Sequence, residues 1–250
     1  MSTASILSRL CLAIGLVAPF VSAQAGVVYS DGTFNPVDYN VQIYKSNAGA
    51  TVTTGQTLTG GNPGAAATVF TSTNGLGPAN IIVGFFRPNF TYDPVVSGAI
   101  QGIDVSLDRY AQPSVNEMPI TVGALTLRTF VVQGLSIYQA VETLPAVTGA
   151  YTTLSATNLT AADFGLFDFT TGTLLSGINP NFAAPIEFGF GIRIAPGTPP
   201  SGVETADLRA DNWRVTVNAR PNTVPEPSTL VLALTPLAVL AWARRRKTNS

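Results

Sequence analysis

Apolar and polar residues alternate with a period of two along several short segments of this chain. The alternation is strict in residues 37–43 and 103–107, and it returns from Trp213 to Val217. Successive side chains of a β-strand point to opposite faces, so the pattern predicts strands with one buried and one solvated face. Residues 81–83, 130–132 and 186–194 are more continuously apolar and predict more fully buried strands.

Clusters of glycine and proline separate these segments. They occur at 60–64, 75–78 and 195–200 and are typical of turns. Only residues 158–164 predict a helical turn, with Asn158 or Thr160 as its cap. Many short strands with threonine-rich faces predict an all-β fold: a single antiparallel jelly-roll-like β-sandwich. We assign this domain to residues 26–223.

The composition excludes several kinds of chemistry. The chain has no histidine, which excludes Ser-His-Asp and Cys-His catalysis and histidine-ligated metals. Its one cysteine, Cys11, lies in a segment that we expect to be removed. Residues 26–223 contain eight basic and thirteen acidic residues, a net charge of −5. The domain therefore lacks the net positive charge that binding to nucleic acid would require.

The N-terminal 25 residues have the pattern of a signal peptide. A weakly basic start with Arg9 precedes an apolar run over residues 10–21, and the small residues Ala23 and Ala25 follow it. Signal peptidase accepts this A-x-A pattern, which predicts cleavage after Ala25. We therefore expect the protein to be exported.

The C-terminal residues 224–250 combine three features in order. An apolar segment over residues 230–243 predicts a transmembrane helix of about 21 Å, short for a hydrocarbon core of roughly 30 Å. Such a marginal helix suits a temporary anchor in the inner membrane, with its basic end on the cytoplasmic side. The motif before the helix is Val224, Pro225, Glu226, Pro227, Ser228 and Thr229, and the basic stop after it is Arg244, Arg245, Arg246 and Lys247.

This arrangement resembles the PEP-CTERM sorting tail found on exported proteins of Gram-negative bacteria that make exopolysaccharide. The resemblance implies that an exosortase-like membrane peptidase is a partner, which would recognise Pro225-Glu226-Pro227 and process the tail near it. The two prolines keep the motif extended, so a peptidase can grip it outside the helix. Delivery to the cell surface or the extracellular matrix would follow. A plain, permanent membrane anchor is the alternative.

The domain between the two ends has a resemblance of its own. It opens with Tyr29-Ser30-Asp31-Gly32-Thr33-Phe34-Asn35, passes through the turn at 60–64, and closes with Ala210-Asp211-Asn212-Trp213-Arg214-Val215-Thr216-Val217. This order resembles exported bacterial jelly-roll modules of the concanavalin-like or galactose-binding-like kind. The resemblance implies either sugar binding or a purely structural role.

An enzymatic function would have to rely on carboxylates. A pair of carboxyl groups can hydrolyse a glycosidic bond, one as the acid and one as the nucleophile or base. However, the E-x-D-x-x-E strand of concanavalin-like glycosidases is absent, and Glu187 has the position of a solvent-facing strand residue. We therefore expect no enzymatic activity. The candidate carboxylates are Glu117, Glu142, Glu187 and Glu204.

Aromatic side chains offer a sugar-binding platform, because flat rings stack on the apolar faces of pyranoses. The alternative is that these rings form the core, since large aromatics dominate the buried area of sandwiches. We favour the core for each ring, and most firmly for Trp213. The candidates are Tyr39, Tyr44, Phe85, Phe86, Tyr92 and Trp213.

Calcium is the metal that best fits the available ligands, because oxygen donors are abundant and soft ligands are absent. Asp31 in the first turn and Asp211 before the last strand would meet if the terminal strands pair. Asx turns and surface solvation explain the same two residues equally well. The sequence has no EF-hand loop.

Two functional hypotheses follow. The first is a non-enzymatic structural or interaction protein of the cell surface or exopolysaccharide matrix. The second is a carbohydrate-binding module, with a carbohydrate-cleaving module as its variant.

Overall fold

The fold is known from a computed structural model that describes residues 26–73, 80–120, 124–145, 147–194 and 203–220. Two seven-stranded sheets make up this part of the chain. Sheet A contains β1 (Val27–Asp31), β3 (Thr51–Gly61), β4 (Gly64–Ser72), β6 (Ala99–Val115), β7 (Met118–Pro119), β10 (Thr152–Leu159) and β14 (Glu204–Arg220). Sheet B contains β2 (Asn40–Lys45), β5 (Ile81–Tyr92), β8 (Ala124–Gln133), β9 (Ser136–Pro145), β11 (Gly165–Asp168), β12 (Thr173–Leu175) and β13 (Ile186–Ile194).

The prediction of an all-β antiparallel sandwich is confirmed. Every strand pair is antiparallel. Sheet A has the order β10-β6-β14-β4-β3, with β1 on β14 and β7 on β6, and sheet B has the order β12-β11-β9-β8-β13-β5-β2. Strands that follow one another in the chain repeatedly lie in different sheets, which is the connectivity of jelly rolls and related Greek-key sandwiches.

One large apolar core lies between the sheets. Trp213 of β14 is fully buried, as predicted, with its ring centroid 5.1 Å from that of Phe190 in β13. Phe190 stacks on Phe85 of β5 at 4.9 Å. These contacts join the middle of sheet A to the middle of sheet B, so each central strand depends on the opposite sheet.

Strand β13 is buried on both faces over residues 188–192, as its apolar sequence predicts. Its large residues Phe188 and Phe190 face the core, while the alternate positions Gly189 and Gly191 face away from it. A Cβ at Gly191 would lie only 2.6 Å from Cε2 of Phe130, so the missing side chains leave space for rings on the outer face. A second apolar cluster of four buried residues occupies that face: Ile82, Phe86, Phe130 and Phe167.

The hairpin formed by β11 and β12 folds across this outer face of sheet B. Phe169 in its turn contacts Phe86, Phe130 and Phe167, with ring centroids 5.9, 5.6 and 4.8 Å away. Gly172 at the end of the turn is packed tightly against the ring of Tyr44 in β2, the opposite edge strand. Sheet B is therefore curled so that the hairpin spans most of its width.

Three short helical segments occur in the described residues: a 3-10 turn at Pro36–Asp38, helix α1 (Pro94–Ser97) and a 3-10 turn at Ala161–Asp163. The last confirms the predicted helical turn, and Thr160 caps it through a reciprocal pair of bonds with Asp163. The first corrects the strand predicted from residue 37: the chain becomes a strand only at Asn40, because Pro36 starts a turn.

The predicted signal peptide, with Ala23 and Ala25, and the predicted tail over 224–250 lie outside the described residues. No helix among the residues that the structure describes is long and apolar enough to cross a membrane.

Candidate functional site

The six aromatic residues suggested by the sequence do not form an exposed platform. Tyr39, Phe85, Phe86, Tyr92 and Trp213 are all buried, and Tyr44 is half-buried beneath the β11–β12 hairpin. They lie at positions where strand residues face the core or the hairpin. The interpretation of these rings as core residues is therefore confirmed.

A different set of aromatic and polar side chains lies on the outer face of sheet A, which is turned away from the core. Thr68 of β4 is paired with Arg209 of β14, and Arg209 is paired with Tyr110 of β6. The ring of Tyr151, just before β10, lies 5.6 Å from the ring of Tyr110. These residues form one row across the strands.

A second row runs beside the first. Phe70 of β4 is paired with Asp207 of β14, and Asp207 is paired with Gln112 of β6. Phe70 is 51% exposed, which is unusual for a phenylalanine on a strand. We call the two rows the sheet A patch, and its members are Thr68, Phe70, Tyr110, Gln112, Tyr151, Asp207 and Arg209.

Arg209 is held rigidly at the centre of the patch. Its Nε and Nη2 donate to the two carboxylate oxygens of Asp207 at 3.2 and 2.6 Å, and Nη1 donates to the carbonyl of Gly60 at 3.1 Å. The guanidinium also lies over the ring of Tyr110, 4.9 Å from its centroid. The hydrogen bonds from Asp207 raise the pKa of Arg209, so the group remains a fixed cation.

The turn at 60–64 positions the patch from one side. The carbonyl of Gly60 accepts a hydrogen bond from the hydroxyl of Tyr151 at 2.6 Å as well as the bond from Arg209. A Cβ at Gly60 would lie 2.6 Å from Nη1 of Arg209, so only glycine fits so closely. Burial raises the pKa of Tyr151 to about 12, which keeps its hydroxyl a donor. The sequence had marked 60–64 only as a turn.

Asp31, one of the two predicted calcium ligands, is already well supplied with protein donors. Its Oδ1 accepts from the backbone N–H and the hydroxyl of Thr33 at 2.7 and 2.8 Å. Its Oδ2 accepts from the hydroxyl of Tyr39 at 2.6 Å and forms an ion pair with Arg87. Burial alone would raise the pKa of Asp31, but the hydrogen bonds outweigh it and hold that pKa below its ordinary value.

Asp211, the other predicted ligand, lies in a more negative environment. It is fully buried and accepts hydrogen bonds from the backbone N–H groups of Asn62 and Asn212. Asp108 is its direct partner across β6 and β14. Burial, followed by the charges of Asp108 and Asp31, raises the pKa of Asp211. The two predicted ligands therefore lie within electrostatic range of each other, as the pairing of β1 with β14 requires.

The calcium site stays a prediction. In the described parts of the chain, no three or more aspartate, glutamate, histidine or cysteine residues are grouped closely enough to hold a metal ion. A calcium ion shared by Asp31 and Asp211 would also have to compete with Arg87, which already pairs with Asp31.

The four carboxylates considered for glycoside hydrolysis are not assembled into an acid–base pair. Glu117 and Glu142 are exposed, Glu187 lies on the outer face of sheet B, and Glu204 is buried at the start of β14 in sheet A. Burial is the cause that raises the pKa of both Glu187 and Glu204. A second carboxylate does not contribute to either shift, as it would in a catalytic pair.

The chain matches no family model and no curated protein. Among solved structures it is similar to the family 11 carbohydrate-binding module of the cellulosomal cellulase Lic26A-Cel5E of Clostridium thermocellum, with 13% identity over 80% of this chain and 99% of that chain, at a TM-score of 0.43. A xylan-binding module, CBM15, has 12% identity over 78% of this chain and 99% of that chain, at a TM-score of 0.33. At TM-scores below 0.5, these similarities do not assign a ligand to this chain.

Proposed function

We propose that this chain is a non-enzymatic carbohydrate-binding protein and that the sheet A patch contacts the glycan. The supporting observation is the patch itself: an exposed phenylalanine, two tyrosines and a rigid Asp207–Arg209 pair on one sheet face. Rings of this kind stack on the apolar faces of pyranoses, and the charged pair offers donors and acceptors to hydroxyl groups.

The dimensions of the patch suit a polysaccharide chain. Its rows cross the strands β4, β14 and β6 and end at Tyr151 beside β10. With neighbouring strands about 4.8 Å apart, this is a width of roughly 15 Å, or about three sugar rings in a line. Arg209 and Tyr151 are fixed by Gly60 before any ligand arrives, which reduces the entropy that binding would cost.

The four candidate carboxylates Glu117, Glu142, Glu187 and Glu204 do not form an acid–base pair, which supports a binding role rather than catalysis.

The further parts of the proposal come from the sequence: export through residues 1–25, transient anchoring in the inner membrane, and sorting of residues 224–250 by an exosortase-like peptidase. Together they would present the sandwich to polysaccharide at the cell surface or in the extracellular matrix.

A glycan array probed with the full-length protein in detergent tests the binding proposal. We expect binding to a restricted set of glycans, and we expect Phe70→Ser to weaken it about fivefold, since one aromatic contact contributes roughly 1 kcal/mol. Leu58→Ser is the matched control, because Leu58 is 73% exposed on β3 and lies outside the patch.

The control variant should bind as the wild type does. Absence of all glycan binding would refute the carbohydrate-binding function and leave a structural role in the matrix. Binding that Phe70→Ser and Leu58→Ser reduce equally would refute the assignment of the patch.

A further inference from the structure

An apolar groove lies at the end of the sandwich where β14 finishes. Its volume is about 490 Å³, within the range of roughly 300–1,000 Å³ that holds ligands of drug size. Its lining includes Pro94 of α1, Ala99 and Ile100 of β6, and Phe182 in the loop before β13. Among the described residues that line it, only Asn181 is polar. A sugar would leave its hydroxyl groups unpaired there, so the groove suits an apolar occupant.

Both walls of the groove are fixed by hydrogen bonds within the domain. On one side, the hydroxyl of the buried Tyr92 donates to the carbonyl of Gly98 at 2.7 Å, which secures the junction between α1 and β6. On the other side, the amide of Gln133 donates to the carbonyl of Asn181 at 2.7 Å and accepts from the N–H of Asn181 at 2.8 Å. The groove is therefore formed before any occupant arrives, which lowers the entropic cost of docking.

The described chain leaves β14 at the rim of this groove. Arg220, the last described residue, is paired with Ala99, and its carbonyl oxygen packs directly against Gly98. The next residues therefore start at the wall that α1 and β6 form. Stacked sheets lie about 10 Å apart, a distance that three or four residues cover in an extended conformation at about 3.1 Å each. Val224 is thus within reach of the opposite wall at Phe182.

The residues that follow Arg220 suit an apolar groove. The segment 221–227 contains three prolines, which favour the extended polyproline II conformation. Because that helix has three residues per turn, Pro221, Val224 and Pro227 would share one face, with Glu226 on another. Proline-rich segments of this kind bind grooves lined by aromatic and apolar side chains, at a low cost in entropy. The segment thus offers an apolar stripe to the groove and a charged residue to solvent.

We infer that residues 221–227 dock in this groove, with Pro221, Val224 and Pro227 against its lining. The occupant belongs to the same chain and starts at the rim, so its effective concentration at the groove is on the order of millimolar even without docking. Docking requires no glycan and no peptidase, so the inference goes beyond the proposed function and does not depend on it. Under the proposed sorting, the segment has to leave the groove before a peptidase can enclose Pro225-Glu226-Pro227.

Disulfide exchange tests the inference in the full-length protein, expressed in a host without an exosortase and kept in detergent. Cys11→Ser removes the one cysteine of the chain. Val224→Cys then places a thiol on the apolar stripe, where cysteine still behaves as a small apolar residue. Ala183→Cys supplies the second thiol, because Ala183 is exposed and lines the groove. Equilibration with a glutathione buffer gives the effective concentration of the two thiols, which we expect to be at least tenfold above that of a control pair.

The control pair combines Val224→Cys with Gln101→Cys. Gln101 is exposed on β6, two residues from the partner of Arg220, and is not among the residues that line the groove. A freely moving segment would reach Gln101 at least as readily as Ala183, so equal effective concentrations at the two positions would overturn docking. Thr223→Cys moves the thiol off the stripe, and we expect it to pair with Ala183→Cys at least fivefold less readily than Val224→Cys does. Equal pairing would overturn the docked face.

Two charged variants test the groove itself in the protein that carries Val224→Cys and Ala183→Cys. Ala99→Glu places a carboxylate in the apolar lining, and we expect it to lower the effective concentration at least fivefold. Gln101→Glu adds the same charge outside the groove and should change the value less than twofold, whereas equal effects of the two variants would overturn the site. Disulfide-linked dimers in place of linked monomers would show that a second copy supplies the occupant. Loss of the preference for Ala183 when phospholipid vesicles replace detergent would show that lipid occupies the groove. Either of these last two results would overturn docking within one chain.

Discussion

Replacement of Gly84 by alanine tests the packing of the β11–β12 hairpin on sheet B. A Cβ at Gly84 would lie 2.6 Å from Cζ of Phe169 and 2.8 Å from Cε2 of Phe86. Carbon atoms in ordinary contact are 3.5–4.0 Å apart, so both rings must move. Phe86 is almost fully buried and has little room, whereas Phe169 belongs to a turn at the surface.

The expected magnitude follows from these contacts. Overpacking of this kind costs about 1–3 kcal/mol, and we expect Gly84→Ala to cost about 2 kcal/mol. Phe169→Ala loses three ring contacts from a half-buried site, about half of the 3–5 kcal/mol typical of a buried phenylalanine. In the double variant the clash with Phe169 disappears while the clash with Phe86 remains. The double variant should therefore lose about 1 kcal/mol less free energy of unfolding than the sum of the two single variants.

Urea unfolding of the four proteins, followed by far-UV circular dichroism, gives this coupling energy. Gly55→Ala is the control, because a Cβ there would lie 3.4 Å from the hydroxyl of Thr68 in ordinary contact. We expect that control to change the free energy of unfolding by less than about 1 kcal/mol. Additive effects of Gly84→Ala and Phe169→Ala would refute the hairpin packing, as would a Gly84→Ala cost no larger than the control's.

Three further predictions concern pH, calcium and the tail. Because the pKa of Asp31 in the folded state is below its unfolded value, its stabilising effect should be complete above about pH 4 and be lost as the pH falls further, and Asp31→Asn should remove this part of the acid sensitivity measured by urea unfolding. Leaving Arg87 without its buried partner should also cost that variant about 3 kcal/mol at pH 7. Calcium should raise the melting temperature, and Asp211→Ala should abolish this increase. A melting curve that a calcium chelator leaves unchanged would exclude the site. Changing Glu226 and Pro227 together to alanine should leave membrane insertion intact but block processing in an exosortase-bearing host, and an unchanged mass and location would favour a plain anchor.

The residue pattern was sufficient to predict the fold class, because the alternation of apolar and polar residues within each strand indicates which side chains are buried. Trp213 and Val215 alternate with Arg214 and Thr216, and the structure buries the first pair and leaves the second at or near the surface. The cap at Thr160, one of the two caps considered, was likewise predicted from neighbouring residues in the sequence alone. The apolar run at 186–194 was correctly predicted as a more fully buried strand. Hydropathy did not indicate that Gly191 leaves space there for the ring of Phe130.

The sheet A patch could not be predicted because it depends on strand register. Tyr110 and Arg209 are 99 positions apart in the sequence and become neighbours only when β6 pairs with β14. The one available signal was polar alternation at Thr205, Asp207 and Arg209, which places these residues on an outer face but does not reveal what lies beside them.

The position of β14 has a mechanical consequence. This 17-residue strand is paired with β6 from Glu204 to Arg220, and its other edge is paired with β4 and then with β1. Hydrogen bonds between antiparallel strands run perpendicular to the strands, so tension applied at Arg220 along the strand loads the bonds on both edges in shear rather than peeling them one at a time. A tether attached after Arg220 would therefore pull on a strand that is hydrogen-bonded to neighbours on both of its edges.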